Sequence, residues 1–181
     1  MSWRNYLLSG VLMSLCLTAF PALAQVEGGL YLLAPGDVLQ VRVFGEPDLS
    51  FNELRLDDSG SFSYPFLGQV QALGLTTGDV AAKLRAGLDG DYLINPRVAV
   101  SIVAYREFFV NGEVRRPGGY PWQPGLTLRQ AISMAGGLTE RASQRRMSII
   151  RGGDTERQPE SANMDSPVSP GDIIEIRQGL F

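Results

Sequence analysis

Histidine is absent from this 181-residue chain. That removes Ser-His-Asp and Cys-His nucleophilic catalysis, and it removes imidazole from any metal site. Glycoside hydrolysis needs only two carboxylates, so it survives as a reaction type. Candidates for such a pair are Asp57 with Asp58 and Asp89 with Asp91. The first pair stands in a Ser-Gly turn and the second flanks Gly90. In both settings Asp is favoured for hydrogen bonding its own backbone, and the turn role outweighs the catalytic one. Cys16 is the single cysteine, and bulky Leu15 before it misfits a lipidation signal.

The remaining polar chemistry is that of arginine. Lysine is almost absent, so nearly all positive charge is guanidinium, the group best suited to bidentate contacts with carboxylates and phosphates. Two adjacent pairs stand out, Arg115-Arg116 and Arg145-Arg146. Either can meet an acidic sugar or a neighbouring subunit's carboxylate, and an exposed solvated pair is the plainer alternative. Tyr120 and Trp122 can stack on sugar rings or pack in a core or interface. Gly112 and Gly118-Gly119 can cradle a ligand, but glycines in strands and turns usually serve backbone geometry. No cofactor or metal motif is present, so none is expected. The net charge is −3, without a basic run, which argues against a nucleic-acid partner and against an anionic membrane surface.

The elements that must position these groups are punctuated by one phrase used twice. Pro35-Gly36-Asp37 opens the run Val38-Leu39-Gln40-Val41-Arg42, and Pro170-Gly171-Asp172 opens Ile173-Ile174-Glu175-Ile176-Arg177. Proline presets φ for the second position of a tight turn. Glycine takes the positive φ that a type II turn requires next. Asp is expected to hydrogen-bond backbone just beyond the turn. The alternating β-branched run that follows reads as a strand. Both phrases are expected to be structural.

Residues 1–24 read as a cleavable secretory signal: Arg4, an apolar stretch over residues 7–20, and Pro21-Ala22-Leu23-Ala24 as the cleavage site. About 14 helical residues reach only ~21 Å, short of the ~30 Å hydrocarbon core. The mature chain is expected to start at Gln25, with a net charge of −4 once Arg4 is lost.

Within the remainder, residues 39–44 predict a strand. Residues 53–56 and 61–64 predict a hairpin around Asp57-Asp58-Ser59-Gly60. Residues 69–73 offer another short strand. Thr76 and Asp79 form a capping box, and Val80, Leu84 and Leu88 make one apolar stripe of a helix. Residues 98–104 predict a strand apolar enough to be buried on both faces. A second unit follows, with a strand over 108–114 broken at Gly112 and a turn at Pro117-Gly118-Gly119. Thr127 and Gln130 cap a second helix, and Gly136-Gly137 stop it. Residues 148–151 predict a strand, residues 152–166 a mobile loop, and the second Pro-Gly-Asp strand ends the chain. The fold class is α+β: two small mixed units, each of strands packed on one short helix.

The residues then resemble a known family. Tyr31-x-x-x-Pro35-Gly36-Asp37, Leu56-Asp57-x-x-Gly60, Pro65-x-x-Gly68, Gly74-Leu75-Thr76 and Asn95-Pro96-x-Val98 are similar in order and spacing to the polysaccharide export domain of bacterial outer-membrane polysaccharide export proteins. Val110-x-Gly112-Glu113-Val114, Pro117-Gly118-x-Tyr120, Thr127-Leu128 and Ala135-Gly136-Gly137-Leu138 resemble the soluble-ligand-binding β-grasp (SLBB-type) domain that follows it. The domain expectation is a signal peptide at 1–24, the export domain at 25–106 and the β-grasp domain at 107–181. The resemblance implies no enzyme but a periplasmic protein associated with the outer membrane. It would form a homo-oligomeric ring in a conduit for capsular or exopolysaccharide cargo. Its partners would be an inner-membrane co-polymerase and a separate outer-membrane β-barrel, because no segment after Ile176 is long enough to span a bilayer. A monomeric periplasmic glycan- or small-ligand-binding module is the alternative function, and a carboxylate-only glycan-cleaving enzyme is a third.

Overall fold

The computed structural model describes residues 31–153, 156 and 158–179. The expected leader and Phe181 lie outside them. The buried apolar side chains form two clusters, one drawn from residues 33–88 and one from residues 108–176. Two helices and several sheets make the α+β class expected from the sequence.

In the first unit, β1 (Val38–Val43) is the middle strand of a three-stranded sheet. It lies antiparallel to both β2 (Phe51–Arg55) and β5 (Val98–Ala104). Leu39, Val41 and Val43 alternate onto the core face, as a period of two demands. A two-stranded hairpin, β3 (Ser61–Tyr64) with β4 (Gly68–Gln71), stands beside it. Helix α1 (Thr77–Leu88) opens with the expected capping box: Asp79 N–H donates to Thr76 Oγ1, and Thr76 N–H donates to Asp79 Oδ2 at 3.0 Å. Val80, Leu84 and Leu88 are fully buried on the face turned to the core.

The second unit is a five-stranded mixed sheet in the order β7-β6-β10-β8-β9. Its strands are β6 (Phe108–Gly112), β7 (Gly118–Tyr120), β8 (Ala142–Ile150), β9 (Pro159–Ala162) and β10 (Ile173–Gln178). The short helix α2 (Leu128–Met134) buries Leu128, Ala131 and Ile132. Central β10 runs parallel to β6 and antiparallel to β8. Ile174 and Ile176 are fully buried there, each stabilising the fold by about 1.5–3 kcal/mol.

Three local expectations fail, each for a stated reason. Residues 53–56 do not pair with 61–64. Leu56 is tied to the first Pro-Gly-Asp turn instead: its N–H donates to the Asp37 carbonyl, and its carbonyl accepts from Gly36 N–H. β2 therefore extends β1, and the hairpin forms one turn later, across Pro65-x-x-Gly68. Strand β5 is an edge strand with one face exposed, not buried on both faces. Val98, Val100 and Ile102 are half-buried, while Ala99, Ser101 and Val103 face out. Residues 152–166 are not simply a loop, because β9 pairs there with β8. Its polar sequence hides the strand: it carries one edge of the sheet and needs few apolar residues.

Candidate functional site: the junction of the two units

The two Pro-Gly-Asp turns do the same work. Each feeds the central strand of its sheet, β1 in one and β10 in the other. In each the Asp N–H donates to the carbonyl three residues back, from Asp37 to Ala34 and from Asp172 to Ser169, both at 3.2 Å. Gly36 and Gly171 hold φ +90° and +83°, the left-handed region a type II turn needs. The carboxylates do not act beyond the turn as the sequence suggested. They reach back across it and outward to a distant strand end. Asp37 Oδ2 accepts from Ala34 N–H and Oδ1 from Arg106 N–H, both at 2.9 Å. Asp172 Oδ2 accepts from Ser169 N–H at 2.8 Å and Oδ1 from Gly152 N–H at 3.1 Å. Both side chains are buried. Buried carboxylates persist only when fully hydrogen-bonded and paired with cations, and an arginine serves each. Arg106 stands 3.9 Å from Asp37 Oδ2, and Arg151 donates to Asp172 Oδ2 at 2.8 Å.

Arg106 joins the two turns. Its backbone is fixed by Asp37, its Nε donates to the Pro170 carbonyl at 3.1 Å, and its Nη1 donates to the Tyr31 hydroxyl at 3.2 Å. The Tyr31 hydroxyl in turn donates to Asp37 at 2.8 Å. Burial, then the hydrogen bond to Asp37, pushes the Tyr31 phenol well above its ordinary range. Tyr31, Tyr105 and Trp122 form a chain of edge-to-face rings, with centroids 4.9 and 4.8 Å apart. A cleft of about 430 Å³ opens beside this junction, between Gly36 and Arg55 on one side and Phe109 and Gly171 on the other. Charge, aromatic surface and both repeated turns thus converge where the chain passes from one unit to the next.

The other residues singled out in the sequence are spread over the second unit. Trp122 donates its indole N–H to the Val168 carbonyl, and the Tyr120 hydroxyl donates to the Arg116 carbonyl. Both rings are half-buried against the second core, a packing arrangement. Arg116 Nη2 donates to the Met134 carbonyl at 3.1 Å, serving the C-terminal end of α2. Arg115 is exposed beside Gly136. Gly136 and Gly137 close α2, their N–H groups donating to the Ser133 and Ile132 carbonyls. Pro117 leads into β7, which Gly118 opens, and Gly112 ends β6 against the Ile176 backbone. Asp57 is consumed by its own turn: it accepts from Ser59 N–H, Ser61 N–H and Gln69 Nε2 at 2.9, 2.9 and 2.8 Å. Asp89 accepts from Asn95 N–H at 3.0 Å. Among the described residues no group of three or more His, Cys, Asp or Glu is arranged to hold a metal.

Sequence reasoning missed Arg106 and Tyr105, because nothing local marks a linker residue as the meeting point of two turns 135 positions apart. It also missed an exposed pair on the first unit. Phe66 and Tyr92 stack at 4.7 Å, beside Glu46, Asp48 and Asp91. The Pro-x-x-Gly turn and the turn after α1 supply one ring each.

Residues 26–103 match the family described as polysaccharide biosynthesis/export protein, and residues 108–160 match the SLBB domain. The chain is 39% identical over 82 residues to the exopolysaccharide production protein ExoF of Rhizobium meliloti, covering 44% of this chain and 20% of that one. It is 25% identical over 181 residues to the EPS I polysaccharide export outer membrane protein EpsA of Ralstonia nicotianae, covering 82% and 47%. It is 30% identical over 126 residues to the polysialic acid transport protein KpsD of Escherichia coli, covering 67% and 22%. The chain therefore spans about half or less of the length of these curated relatives.

Proposed function

Because this chain belongs to the polysaccharide export protein family, we propose that it is a periplasmic component of a polysaccharide export conduit at the outer membrane. In this reading it assembles as a homo-oligomeric ring. It stands between an inner-membrane co-polymerase and a separate outer-membrane β-barrel, and capsular or exopolysaccharide is its cargo. The observation that carries the reading is the ordered pair of family matches in one chain, an export unit followed by an SLBB unit. The junction at Arg106 supports it, since a conduit needs its two tiers held in register. The surface supports assembly as well. Among the described residues, all the large exposed hydrophobic side chains except Phe109 lie in the first unit, with Ile94 96% and Phe66 63% exposed. Apolar groups displayed this way call for cover by another copy or a partner.

The matches are to a biosynthesis/export family and to the SLBB domain, and one carboxylate of each weighed pair, Asp57 and Asp89, is engaged in a turn. Catalysis is therefore not proposed. Among the described residues no helix is long and apolar enough to cross a membrane.

The test is a deletion strain complemented with the intact gene. Loss of surface polysaccharide on deletion and its return on complementation support the reading. Purified protein studied by light scattering should show a closed oligomer. A strictly monomeric protein at high concentration, alone and with envelope extracts, would favour the monomeric glycan- or small-ligand-binding module instead.

A further inference from the structure

On the second unit, away from the junction, a pocket of about 240 Å³ is lined by Arg145, Arg146, Arg177, Ser148 and Ser161 among others. Neighbouring residues of a regular strand point to opposite faces, so Arg145 and Arg146 should not share a pocket. The register explains why they do. Ile176 pairs with Met147, but Gln178 pairs with Ala142. Two steps along β10 thus oppose five along β8, and the surplus residues bulge. Bulges re-aim side chains and recur beside functional sites. Arg177 arrives from β10, and Ser161 lies directly opposite Ser148 on β9.

The donors converging here are largely unspent. The Arg145 side chain makes no hydrogen bond or ion pair among the described residues. Arg146 uses Nη1 for the Gln178 carbonyl at 3.0 Å. Arg177 pairs with Glu175 at 3.0 Å, an exposed pair of little energetic weight. The nearby Glu160 is already taken by Arg151. Three guanidinium groups therefore face one carboxylate. Ser148 Oγ is shut off from solvent and has no hydrogen-bond partner among the described residues.

The geometry points to an acidic-glycan site: Arg145, Arg146 and Arg177 bind the carboxylate of an acidic sugar in the exported polysaccharide. This rests on the polysaccharide reading above and adds the class of sugar. A planar guanidinium fork matches a planar carboxylate with two parallel hydrogen bonds. A neutral sugar would gain nothing from three neighbouring cations.

The experiment uses the full mature chain and calorimetric titration with a uronic-acid oligosaccharide, the matching neutral oligosaccharide and inorganic phosphate, with light scattering in parallel. The acidic oligomer should bind, weaken as salt rises, and weaken at least tenfold in the double variant Arg145→Gln/Arg146→Gln. Ser148→Ala should leave binding and folding unchanged, because the hydroxyl it removes is sealed from the pocket and unpaired. Equal binding of acidic and neutral oligomers, or unchanged binding in the double variant, would overturn the site. So would phosphate binding as tight as the oligomer, which marks a general anion patch. Self-association lost in the double variant, with glycan binding intact, would reassign the patch to a contact between copies and overturn it as well. Binding is read on purified protein and export in the deletion strain, so failure of one reading is seen separately from failure of the other.

Discussion

Asp37 holds Arg106 at two points: Oδ1 accepts the Arg106 backbone N–H at 2.9 Å, and Oδ2 stands 3.9 Å from Nη1. The first contact survives any substitution at position 106 except proline, which has no N–H to donate. The second does not, and with it go the bonds to the Pro170 carbonyl and the Tyr31 hydroxyl. Arg106 is thus the residue through which the two repeated turns feel one another.

Arg106→Ala should therefore leave each unit folded while loosening their connection. The lost bonds involve a charged donor that is partly exposed, so about 1–3 kcal/mol is expected. Calorimetry should show the melting transition broaden or split in two, because the units melt as one only while coupled. A single sharp transition at the parent temperature would show that the units are held elsewhere.

The carboxylates of the two turns should matter far more than those of surface pairs. Asp37→Asn places an amide where backbone N–H groups point, and it removes the charge that Arg106 faces. Asp172→Asn does the same toward Gly152, Ser169 and Arg151. Breaking a buried pair from one side costs about 3–5 kcal/mol. Asp165→Asn, which breaks an exposed pair with Arg129, should cost less than about 1 kcal/mol. Urea denaturation of the three variants checks the contrast, and near-equal losses would contradict it.

These turns also show what a single sequence can and cannot convey. The phrase Pro-Gly-Asp, the strand after it and both helix caps were readable because each is a local device. It is built from residues within four positions, whose φ values and hydrogen bonds follow from residue type. The partner of Asp37 was not readable, since Arg106 lies 69 positions away and no spacing rule reaches that far. Strand partners failed likewise. The alternation in 53–56 is real, but alternation names a face and not a neighbour, and Leu56 went to Asp37. The arginine pocket was half visible: Arg145-Arg146 is a local pair, but the register shift against β10 that brings Arg177 beside it is not. β9 was hidden because an edge strand can be polar throughout.

Gly112 should tolerate no side chain. It holds φ +86°, and a Cβ there would lie 2.1 Å from the Ile176 carbonyl oxygen on the central strand. Gly45 holds a similar φ of +90° with nothing within 4 Å of a Cβ. Gly45→Ala then measures backbone strain alone, about 1–2 kcal/mol. Gly112→Ala adds a backbone collision that only displacement of β6 from β10 can relieve. It should lose several kcal/mol more, or give no soluble protein. Paired thermal melts decide it, and equal losses would mean the strands can part at no added cost.

The capping box of α1 should make itself felt in the acid limb of stability. The hydrogen bond from Thr76 Oγ1, followed by that from Thr76 N–H, holds the Asp79 carboxyl below the ordinary carboxylate range. A group whose pKa is lower folded than unfolded stabilises the fold above its unfolded pKa, about 3.9 for Asp. That contribution fades as pH falls toward and through the lowered folded value. Other carboxylates titrate over the same interval, so the informative quantity is a difference between two proteins. Asp79→Asn should melt below the parent at pH 7, and the gap should narrow steadily below about pH 4. Asp57, lowered first by the Ser59 hydroxyl, sits in a different element and titrates in both proteins, so it drops out of the comparison. A gap that stays constant from pH 7 to pH 3 would mean that Asp79 acts through shape alone and that its charge contributes nothing to the cap.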